Sequence, residues 1–361
     1  MADDIKIAIV GTQGVPARYG GFETLAENLL DLKNHGAFIT VYCSGKVYDK
    51  SERSVNYKGA RLRYIHLNAN GKTSIAYDLI CLTHACATND KVILLGASAA
   101  PFLPLFKVFF GNKIIVNTDG LEWSRQKWGK IARYYLKLSE WCILRFSHSV
   151  IADNMAIKEY YQVKHGVDSE FIAYGGDQPR EYRPYSNLRT RKKNYAVNVS
   201  RTVPENNLHL ILESFSLQAR FDLVIFGDWE GSDYGKTLYA RFHEFDQIVM
   251  LPPMYNDEAH KNWIRKNATM YVHGHGAGGT SPGLVEAMSM GLPIISFDVS
   301  FNRATTHGHA EFFETTEDLI HILTSTEMGR FDVLSRLSLK TAKEHYRWND
   351  IVLQYLALAR K

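Results

Sequence analysis

The chain has 361 residues, more than one typical hydrophobic core accommodates, so its length predicts two domains. Its composition, 45% hydrophobic and 22% charged, is that of a folded soluble protein and excludes a disordered or fibrous one. The formal net charge of +4 is too small to indicate a polyanionic partner for the whole chain, and no nucleic-acid partner is expected.

The cysteines and the N-terminal residues indicate in which cellular compartment the protein is expected. The cysteines are Cys43, Cys81, Cys86 and Cys142. They form no CxxC pair, so a reduced cytoplasmic protein is expected. MADDIKIAIVG enters a predicted strand without a basic or apolar leader, so no signal peptide is expected. The most apolar run, 92–110, is broken by glycine, proline and lysine, which predicts a buried strand, a turn and a short helix instead of a transmembrane helix.

Short β-rich runs alternate with amphipathic helical patterns through the first half of the chain. The predicted strands are, in order, 5–10, 38–43, 61–66, 91–96, 113–117, 148–153 and 171–175. Helical stretches such as FETLAENLLDLKNHG and TSIAYDLICLTHACA lie between them. This alternation is typical of βαβ units in a parallel, doubly wound sheet.

A polar, basic stretch with two prolines, 177–194, interrupts the pattern and suits a linker or surface loop. Predicted strands then resume at 195–200, 221–227, 247–251, 269–274 and 292–297, with helices between them and two or three closing helices. The chain is therefore predicted to be an α/β protein with two Rossmann-like domains, 1–177 and 178–345. One large α/β sheet is the alternative.

The first predicted strand leads into GTQGVPARYGGFET, residues 11–24. Its glycine spacing does not match GxGxxG, and NGKTS at 70–74 is no Walker A motif because position 66 is histidine. Gly20 and Gly21 stand where the next helix begins, and the N–H groups of a helix N-terminus suit a phosphate or sugar oxygen. A tight strand-to-helix turn would explain the same glycines.

The second domain has two comparable loops. Arg201 follows its first strand, in VSRTVPENN, where a planar guanidinium could bind a phosphate, although a lone arginine there is also a common surface residue. The other loop, HGHGAGGTSPGLVEAM at 273–288, contains Gly278 and Gly279, which permit close backbone approach by a ligand.

A short helix follows these glycines. Ser281 is a favourable N-cap and Pro282 suits the first helical position. The backbone N–H groups expected to face the loop are those of Thr280, Ser281, Gly283 and Leu284. Glu286 lies ~6 Å further along the axis at ~1.5 Å per residue, where it could accept hydrogen bonds from two adjacent hydroxyls, as ribose offers. A well-capped helix with a surface glutamate is the alternative.

These motifs resemble a known family. The strand-end arginine with PENN and LESF, followed in the same domain by GGTSPGLVEAMSMGLP, is similar to the retaining glycosyltransferases of family four. GTQGVPARYGGFET, NTDGLEWSRQKWG and HGHGAGGTSP resemble a bacterial rhamnosyltransferase-like subgroup that serves capsule and other surface-polysaccharide synthesis. The resemblance covers nearly the whole chain. It implies two Rossmann-like domains facing a central cleft, the GT-B fold, with a last helix within 346–361 that packs back on the first domain.

The resemblance also assigns roles to individual residues. In that family the residue matching Arg201 binds the diphosphate of a nucleotide sugar. Glu286 matches the second glutamate of the family's E-x7-E motif, which holds the nucleotide ribose. The loop with Gly20 and Gly21 resembles the Gly-Gly loop that faces the donor across the cleft.

Two positions depart from the family pattern. Gly278 replaces the first glutamate of E-x7-E, which contacts the donor sugar, and Asn206 replaces a phosphate-binding lysine. The donor sugar could instead be held by His275 and by the backbone N–H groups at 280–284. Asp119, in NTDGLEW, is expected to contact donor sugar or acceptor, and a turn or helix-cap aspartate is the alternative.

The family's chemistry is transfer with retention by front-face attack, in which the leaving diphosphate takes the acceptor's proton and no side-chain nucleophile is needed. No DxD motif is present, and the HGH tripeptides at 273–275 and 307–309 lack a complete set of zinc ligands. We therefore expect neither a metal nor a cofactor besides the nucleotide-sugar substrate.

The stretch 123–147 is basic and aromatic. Its basic residues are Arg125, Lys127, Lys130, Arg133, Lys137 and Arg145, and Glu140 is its acid. A basic amphipathic helix with aromatics can lie on an anionic membrane, whereas a packing helix with a solvated basic face is the alternative. The lipid-linked acceptor that the resemblance implies favours contact with the inner face of the cytoplasmic membrane.

The sequence thus predicts a cytoplasmic glycosyltransferase, with L-rhamnose from dTDP-rhamnose as the best match for its donor and a lipid-linked or growing saccharide as its acceptor. Two rivals remain open. One is a nucleotide-sugar epimerase of the same architecture. The other is a non-catalytic partner that binds a nucleotide sugar or glycan, and Gly278 and Asn206 motivate it.

Overall fold

The computed structural model describes residues 4–18, 20–125, 128–254 and 257–361. The chain divides into two compact units. Unit 1 consists of Met1–Ala173 with Trp348–Lys361, and unit 2 of Tyr174–Arg347.

Unit 1 is built from alternating strands and helices. Its strands are β1 (Ile5–Val10), β2 (Ala37–Ser44), β3 (Asn56–Tyr57), β4 (Ala60–Ile65), β5 (Lys91–Leu95), β6 (Ile114–Asn117), β7 (Ser149–Ala152) and β8 (Glu170–Phe171). Its first helices are α1 (Gly21–Leu29), α2 (Ser74–Thr88), α3 (Leu103–Phe110), α4 (Lys130–Phe146) and α5 (Met155–His165). Short 3₁₀ turns join several of these elements.

The strands of unit 1 form one sheet in the order β3-β4-β2-β1-β5-β6-β7-β8. All neighbours are parallel except β3 and β4, which form an antiparallel pair. Residues 7–10 of β1 are fully buried, as a continuous apolar strand covered on both faces should be. The chain order reverses between β1 and β5, so the loops after these two strands flank the crevice in which such sheets bind ligands.

Unit 2 repeats the alternation. Its strands are β9 (Tyr195–Val199), β10 (Asp222–Phe226), β11 (Ile248–Leu251), β12 (Met270–His273), β13 (Ile294–Phe297) and β14 (Glu311–Phe313). Its helices are α6 (Leu208–Leu217), α7 (Asp233–Phe242), α8 (Glu258–Lys266), α9 (Pro282–Ser289), α10 (Ser300–Thr306), α11 (Thr316–Ser325) and α12 (Met328–His345). The chain then returns to unit 1 as α13 (Trp348–Ala359).

The sheet of unit 2 is parallel throughout, in the order β11-β10-β9-β12-β13-β14. Its core packs the inner strands against α6, α7, α11 and α12 through buried side chains such as Phe215, Phe221 and Leu319. The chain order reverses between β9 and β12. The loops that follow these two strands are therefore the expected place for a ligand.

The predicted α/β class with two doubly wound parallel sheets is confirmed. The strand predicted at 171–175 is wrong beyond Phe171, because β8 pairs with β7 only at residues 170 and 171 before the chain leaves the sheet. The run 92–110 holds the predicted strand, turn and short helix, β5 and α3, but the outer face of α3 is exposed. β3 and β14 were not predicted.

Candidate functional site in unit 2

The loops after β9 and β12, residues 200–207 and 274–281, lie side by side. The backbone N–H of Gly276 donates to the carbonyl of Glu205 over 2.8 Å. The side-chain amide of Asn207 donates to the carbonyl of Gly274 over 3.0 Å. A Cβ at Gly274 would come within 2.1 Å of the Asn206 carbonyl oxygen, so only glycine allows this approach. The two loops therefore form one continuous rim at the carboxyl ends of the strands.

Asn206 links the predicted site residues within this rim. Its side chain is buried. Its Nδ2 donates to the carbonyl of Arg201 over 2.6 Å, and its Oδ1 lies 2.6 Å from Nδ1 of His275. Because the amide oxygen can only accept, His275 carries a proton on Nδ1. At position 206 the family that the sequence resembles has a lysine. In this chain Asn206 instead forms two hydrogen bonds, which fix the carbonyl of Arg201 and the ring of His275.

Arg201 itself is exposed at the end of β9. Its carbonyl oxygen is held by the side-chain amide of Asn206. An exposed guanidinium on a fixed backbone position can present two parallel N–H donors to a phosphate.

The glycine loop enters α9 without a side-chain cap. Gly278 has φ +120°, a conformation that disfavours residues with a Cβ, and Pro282 occupies the first turn. Ser281 is the N-cap residue, but its side chain accepts no capping hydrogen bond, so the expected serine cap is absent. Pro282 has no N–H, and the N–H of Leu284, expected to face the loop, donates instead to the carbonyl of Ser281 over 3.1 Å. At the start of α9 it is therefore the N–H of Gly283 that suits an anion.

Glu286 is held by residues from elsewhere in unit 2. Its Oε2 accepts from Nη1 of Arg265 over 2.7 Å, and its Oε1 accepts from Nε2 of Gln178 over 2.6 Å. Burial raises the pKa of this carboxyl, but Arg265, Arg180 and Gln178 together bring it below its ordinary value. Glu286 is thus an ionised, oriented carboxylate and not the surface glutamate of the alternative interpretation. Each carboxylate oxygen can accept more than one hydrogen bond, so capacity for ribose hydroxyls remains.

Gly176 allows the segment that carries Gln178 to lie close to α9. A Cβ at Gly176 would lie 2.4 Å from the carbonyl oxygen of Val285, so the segment after Tyr174 passes directly against α9. This close approach explains why position 176 is a glycine. Gln178, Arg180 and Arg265 were not predicted as site residues, because no local pattern distinguishes them and only the fold brings them to Glu286.

His273, the last residue of β12, is fully enclosed. Both ring nitrogens are buried and have no hydrogen-bond partner among the described residues. Burial lowers the pKa of His273 to about 3, so the ring is neutral at physiological pH. It stacks on Tyr271 with ring centroids 5.8 Å apart. Of the two histidines in HGH at 273–275, the second is therefore the one placed in the rim.

The remaining predicted residues belong to unit 1. Gly20 has φ +123° and precedes α1, which begins at Gly21. The buried Glu23 accepts from the Thr12 hydroxyl over 3.1 Å and so ties the first loop to α1. Asp119 follows β6 with φ +54°.

The carboxylate of Asp119 is partly exposed and lies 4.0 Å from Nη2 of Arg125. Its backbone N–H donates to Oδ1 of Asn117 over 3.1 Å. The structure thus joins Arg201, Asn206 and His275 through hydrogen bonds and places the 278–284 loop and Glu286 in the segment of unit 2 that follows His275. It places Gly20, Gly21 and Asp119 in unit 1.

Two family models match parts of the chain. Residues 5–177 match the family model described as "Domain of unknown function (DUF1972)". Residues 181–318 match the model described as "Glycosyl transferases group 1". No curated protein matches the sequence.

Solved structures of glycosyltransferases are similar over the full chain. Sucrose-phosphate synthase from Thermosynechococcus elongatus has a TM-score of 0.82 at 14% identity, covering 99% of this chain and 98% of that chain. HepE from Anabaena, in complex with UDP, has a TM-score of 0.70 at 12% identity, covering 98% of each chain. The catalytic domain of starch synthase IV from Arabidopsis thaliana, bound to ADP and acarbose, has a TM-score of 0.68 at 12% identity, covering 99% of each.

At these identities the structural likeness establishes the fold alone. The chain has the two-Rossmann fold seen in GT-B glycosyltransferase structures, and its residues 181–318 are similar to the glycosyl transferases group 1 family model.

Proposed function

We propose that the protein is a retaining glycosyltransferase whose unit 2 binds the donor, a nucleotide diphosphate sugar. The proposal rests on the arrangement of residues at the carboxyl ends of β9 and β12, which we call the β9–β12 crevice. There Asn206 holds the carbonyl of Arg201, and the adjoining glycine loop leads into α9, whose N-cap residue Ser281 makes no side-chain cap and which carries the oriented Glu286 carboxylate. The group 1 family model covers the same residues.

Each part of the rim suits one part of such a donor. The guanidinium of Arg201 and the N–H group of Gly283 at the start of α9 would bind the diphosphate. The carboxylate of Glu286 would accept hydrogen bonds from the nucleotide ribose. His275, protonated on Nδ1, would present Nε2 to the donor sugar, together with the backbone at Gly279 and Thr280. Asp119 of unit 1 is proposed to contact sugar or acceptor.

The proposed reaction exchanges one C–O bond for another. The bond between C1 of the sugar and the diphosphate oxygen breaks, a bond from the acceptor oxygen to C1 forms on the same face, and the acceptor's proton passes to the departing diphosphate. Negative charge develops on the diphosphate, where Arg201 and the α9 N-terminus lie. This account needs no metal or cofactor.

The donor is proposed to be dTDP-rhamnose and the acceptor a lipid-linked or growing saccharide, on the strength of the sequence resemblance. UDP and ADP, the nucleotides in the HepE and starch synthase IV structures, are the alternatives to compare. The pentose of the nucleotide distinguishes dTDP from the other two, because the ribose of UDP and ADP offers two adjacent hydroxyls to Glu286 whereas the 2′-deoxyribose of dTDP offers one.

A thermal-shift screen against dTDP, UDP, GDP, ADP and their sugars tests the proposal, since a ligand that binds only the native state raises the melting temperature. A shift with one nucleotide that is lost in Arg201→Ala supports the donor site, and a preference for dTDP supports the rhamnose donor. Arg241→Ala, which alters an exposed ion pair, is the matched control. No shift with any nucleotide would overturn the donor site.

An assay of turnover distinguishes the two alternative functions, a nucleotide-sugar epimerase and a non-catalytic binding partner. Isomerisation of the donor sugar without an acceptor would indicate an epimerase. Binding without turnover, in the presence of saccharide acceptors, would indicate a non-catalytic partner.

A further inference from the structure

Two neighbouring helices of unit 1 expose apolar side chains to solvent. The residues are Phe102, Leu105, Val108 and Phe109 in and before α3, and Ile131, Tyr134, Leu138 and Trp141 in α4. We name them the α3–α4 surface. Val108 is 79% exposed and Ile131 is 88% exposed, so these are large side chains with little cover. Apolar surface clustered in this way marks an interaction site more often than isolated exposed residues do.

The spacing places these side chains on continuous stripes. In α4 they recur at intervals of three and four residues from Ile131 to Trp141, a stripe ~15 Å long at ~1.5 Å per residue. In α3 the residues Leu105, Val108 and Phe109 share one face by the same rule. The two helices pack against each other, and the turn that carries Phe102 packs on α4.

The charges beside the stripes are of one sign. Lys130, Arg133 and Lys137 form a row next to the α4 stripe, and all three are exposed. Lys107 of α3 and Arg145 near the end of α4 are also exposed. Glu140 is the single carboxylate of the two helices, and it is buried, where it accepts from Nε1 of Trp123 over 2.9 Å.

Of the stretch 123–147 considered from sequence, only part forms this surface. Lys127 lies outside the described residues. Arg125 is buried and pairs with Glu122 over 2.7 Å, so it does not belong to the basic row. The structure adds α3, whose exposed apolar face the sequence did not indicate.

The surface combines apolar stripes with cations, and α3 and α4 carry no exposed carboxylate. This combination indicates which kind of partner the surface binds. A second copy of the chain would bring the same cations close to each other, which costs free energy. An anionic bilayer accepts both features, because apolar side chains enter the acyl boundary while lysine and arginine meet lipid phosphates. Tyr134 and Trp141 are residue types that suit this interface.

We propose that the α3–α4 surface docks unit 1 on an anionic lipid bilayer, with both helices lying in the plane of the interface. Among the residues that the structure describes, no helix has the length and apolar character needed to cross a bilayer. Docking of this kind goes beyond the proposed transfer reaction and requires no nucleotide.

Flotation of the full chain with vesicles tests the proposal. We expect binding to vesicles of phosphatidylcholine and phosphatidylglycerol in equal parts, with little binding to phosphatidylcholine alone. Replacing Lys130 and Arg133 by alanine should weaken binding roughly 30-fold, about fivefold for each cation. The double variant Val108→Asp, Phe109→Asp should weaken it about tenfold or more while the melting temperature stays unchanged, because both side chains are exposed.

Val163→Asp is the matched control, since Val163 of α5 is 87% exposed in the same unit but lies outside the surface. It should bind vesicles as the unaltered chain does. The proposal is overturned if no vesicle is bound, if neutral vesicles are bound equally well, or if the α3 variant binds normally. Dimerisation in solution that the α3 variant abolishes would also overturn it, since the surface would then be an interface between copies.

Discussion

At the residue scale, Arg265 and Glu286 form an ion pair whose side chains are 3% and 20% exposed. Arg265 comes from α8 and Glu286 from α9, so the pair fixes the orientation of the proposed ribose-binding carboxylate. Two charges held this far from water stabilise a fold only when they are paired, and without Arg265 the Glu286 carboxylate would keep Arg180 and Gln178 as its weaker partners.

Arg265→Met should therefore lower the free energy of unfolding at neutral pH by about 3–5 kcal/mol. Urea denaturation measures this loss, and Arg241→Ala, at an exposed pair, should cost less than about 1 kcal/mol.

The loss should depend on pH. The pKa of Glu286 is lowered in the folded protein, so the pair contributes stability above the ordinary glutamate pKa, ~4.3, and loses it as the pH falls through the lowered pKa. The penalty of Arg265→Met should accordingly shrink as the pH falls below about 4. An equal penalty at about pH 3 and at pH 7 would contradict the ion-pair account.

Asp78 on α2 is a second buried acid, with a different partner. Burial raises the pKa of its carboxyl to about 7, an effect that the hydrogen bond from the Ser98 hydroxyl reduces. Its Oδ1 has no hydrogen-bond partner among the described residues. Because the folded pKa is above the unfolded one, Asp78 should make the protein less stable as the pH rises from about 4 to 7, by ~1.4 kcal/mol per pH unit.

Asp78→Asn removes this ionisation, so the variant's stability relative to the unaltered chain should rise between pH 5 and pH 8. Chemical denaturation at both pH values measures the change. A relative stability that falls or stays constant over this range would show that Asp78 is not neutral in the fold.

At the scale of elements, α9 and the loop before it could be predicted from sequence because glycine, proline and a following apolar run are local signals. The predicted side-chain cap at Ser281 is wrong, because a favourable residue type does not ensure that its side chain turns toward the helix. β3 and β14 were missed because runs of two and three residues carry no periodicity. The exposed face of α3 was missed because an apolar run does not reveal which of its residues are covered.

Gly278, in the loop before α9, has a backbone conformation that residues with a side chain rarely adopt. With φ +120°, a side chain there should cost roughly 1–3 kcal/mol. Gly278→Glu, which restores the E-x7-E pattern, should therefore lower stability and should not tighten nucleotide binding.

Gly329→Ala is the control, because a Cβ at this α12 position meets nothing within 4 Å and should be neutral or stabilising by roughly 0.4–1 kcal/mol. A Gly278→Glu variant that is as stable as the unaltered chain and binds nucleotide more tightly would mean that the loop adapts and that the family contact can be rebuilt.

At the scale of the whole molecule, periodicity was enough to predict two parallel sheets, because each strand is a short apolar run followed by a helix. The loops at the strand ends could be assigned by topology alone. The partners of Glu286 could not, because Gln178, Arg180 and Arg265 come from separate segments that only the folded unit 2 brings together. The family resemblance supplied the proposed donor chemistry, which geometry by itself does not specify.

The measurement that tests the central claim most directly is a calorimetric titration of the full chain with dTDP and UDP, repeated with Arg201→Ala and Arg241→Ala. Arg201 is exposed, so its replacement should leave the fold intact. We predict that one nucleotide has the same affinity for the unaltered chain and for Arg241→Ala. Its affinity for Arg201→Ala should be lower by about tenfold or more, because the substitution removes a charge-assisted hydrogen bond worth ~1.5–3 kcal/mol. Nucleotide binding that Arg201→Ala leaves unchanged, or no binding to the folded chain, would contradict a donor site at the β9–β12 crevice.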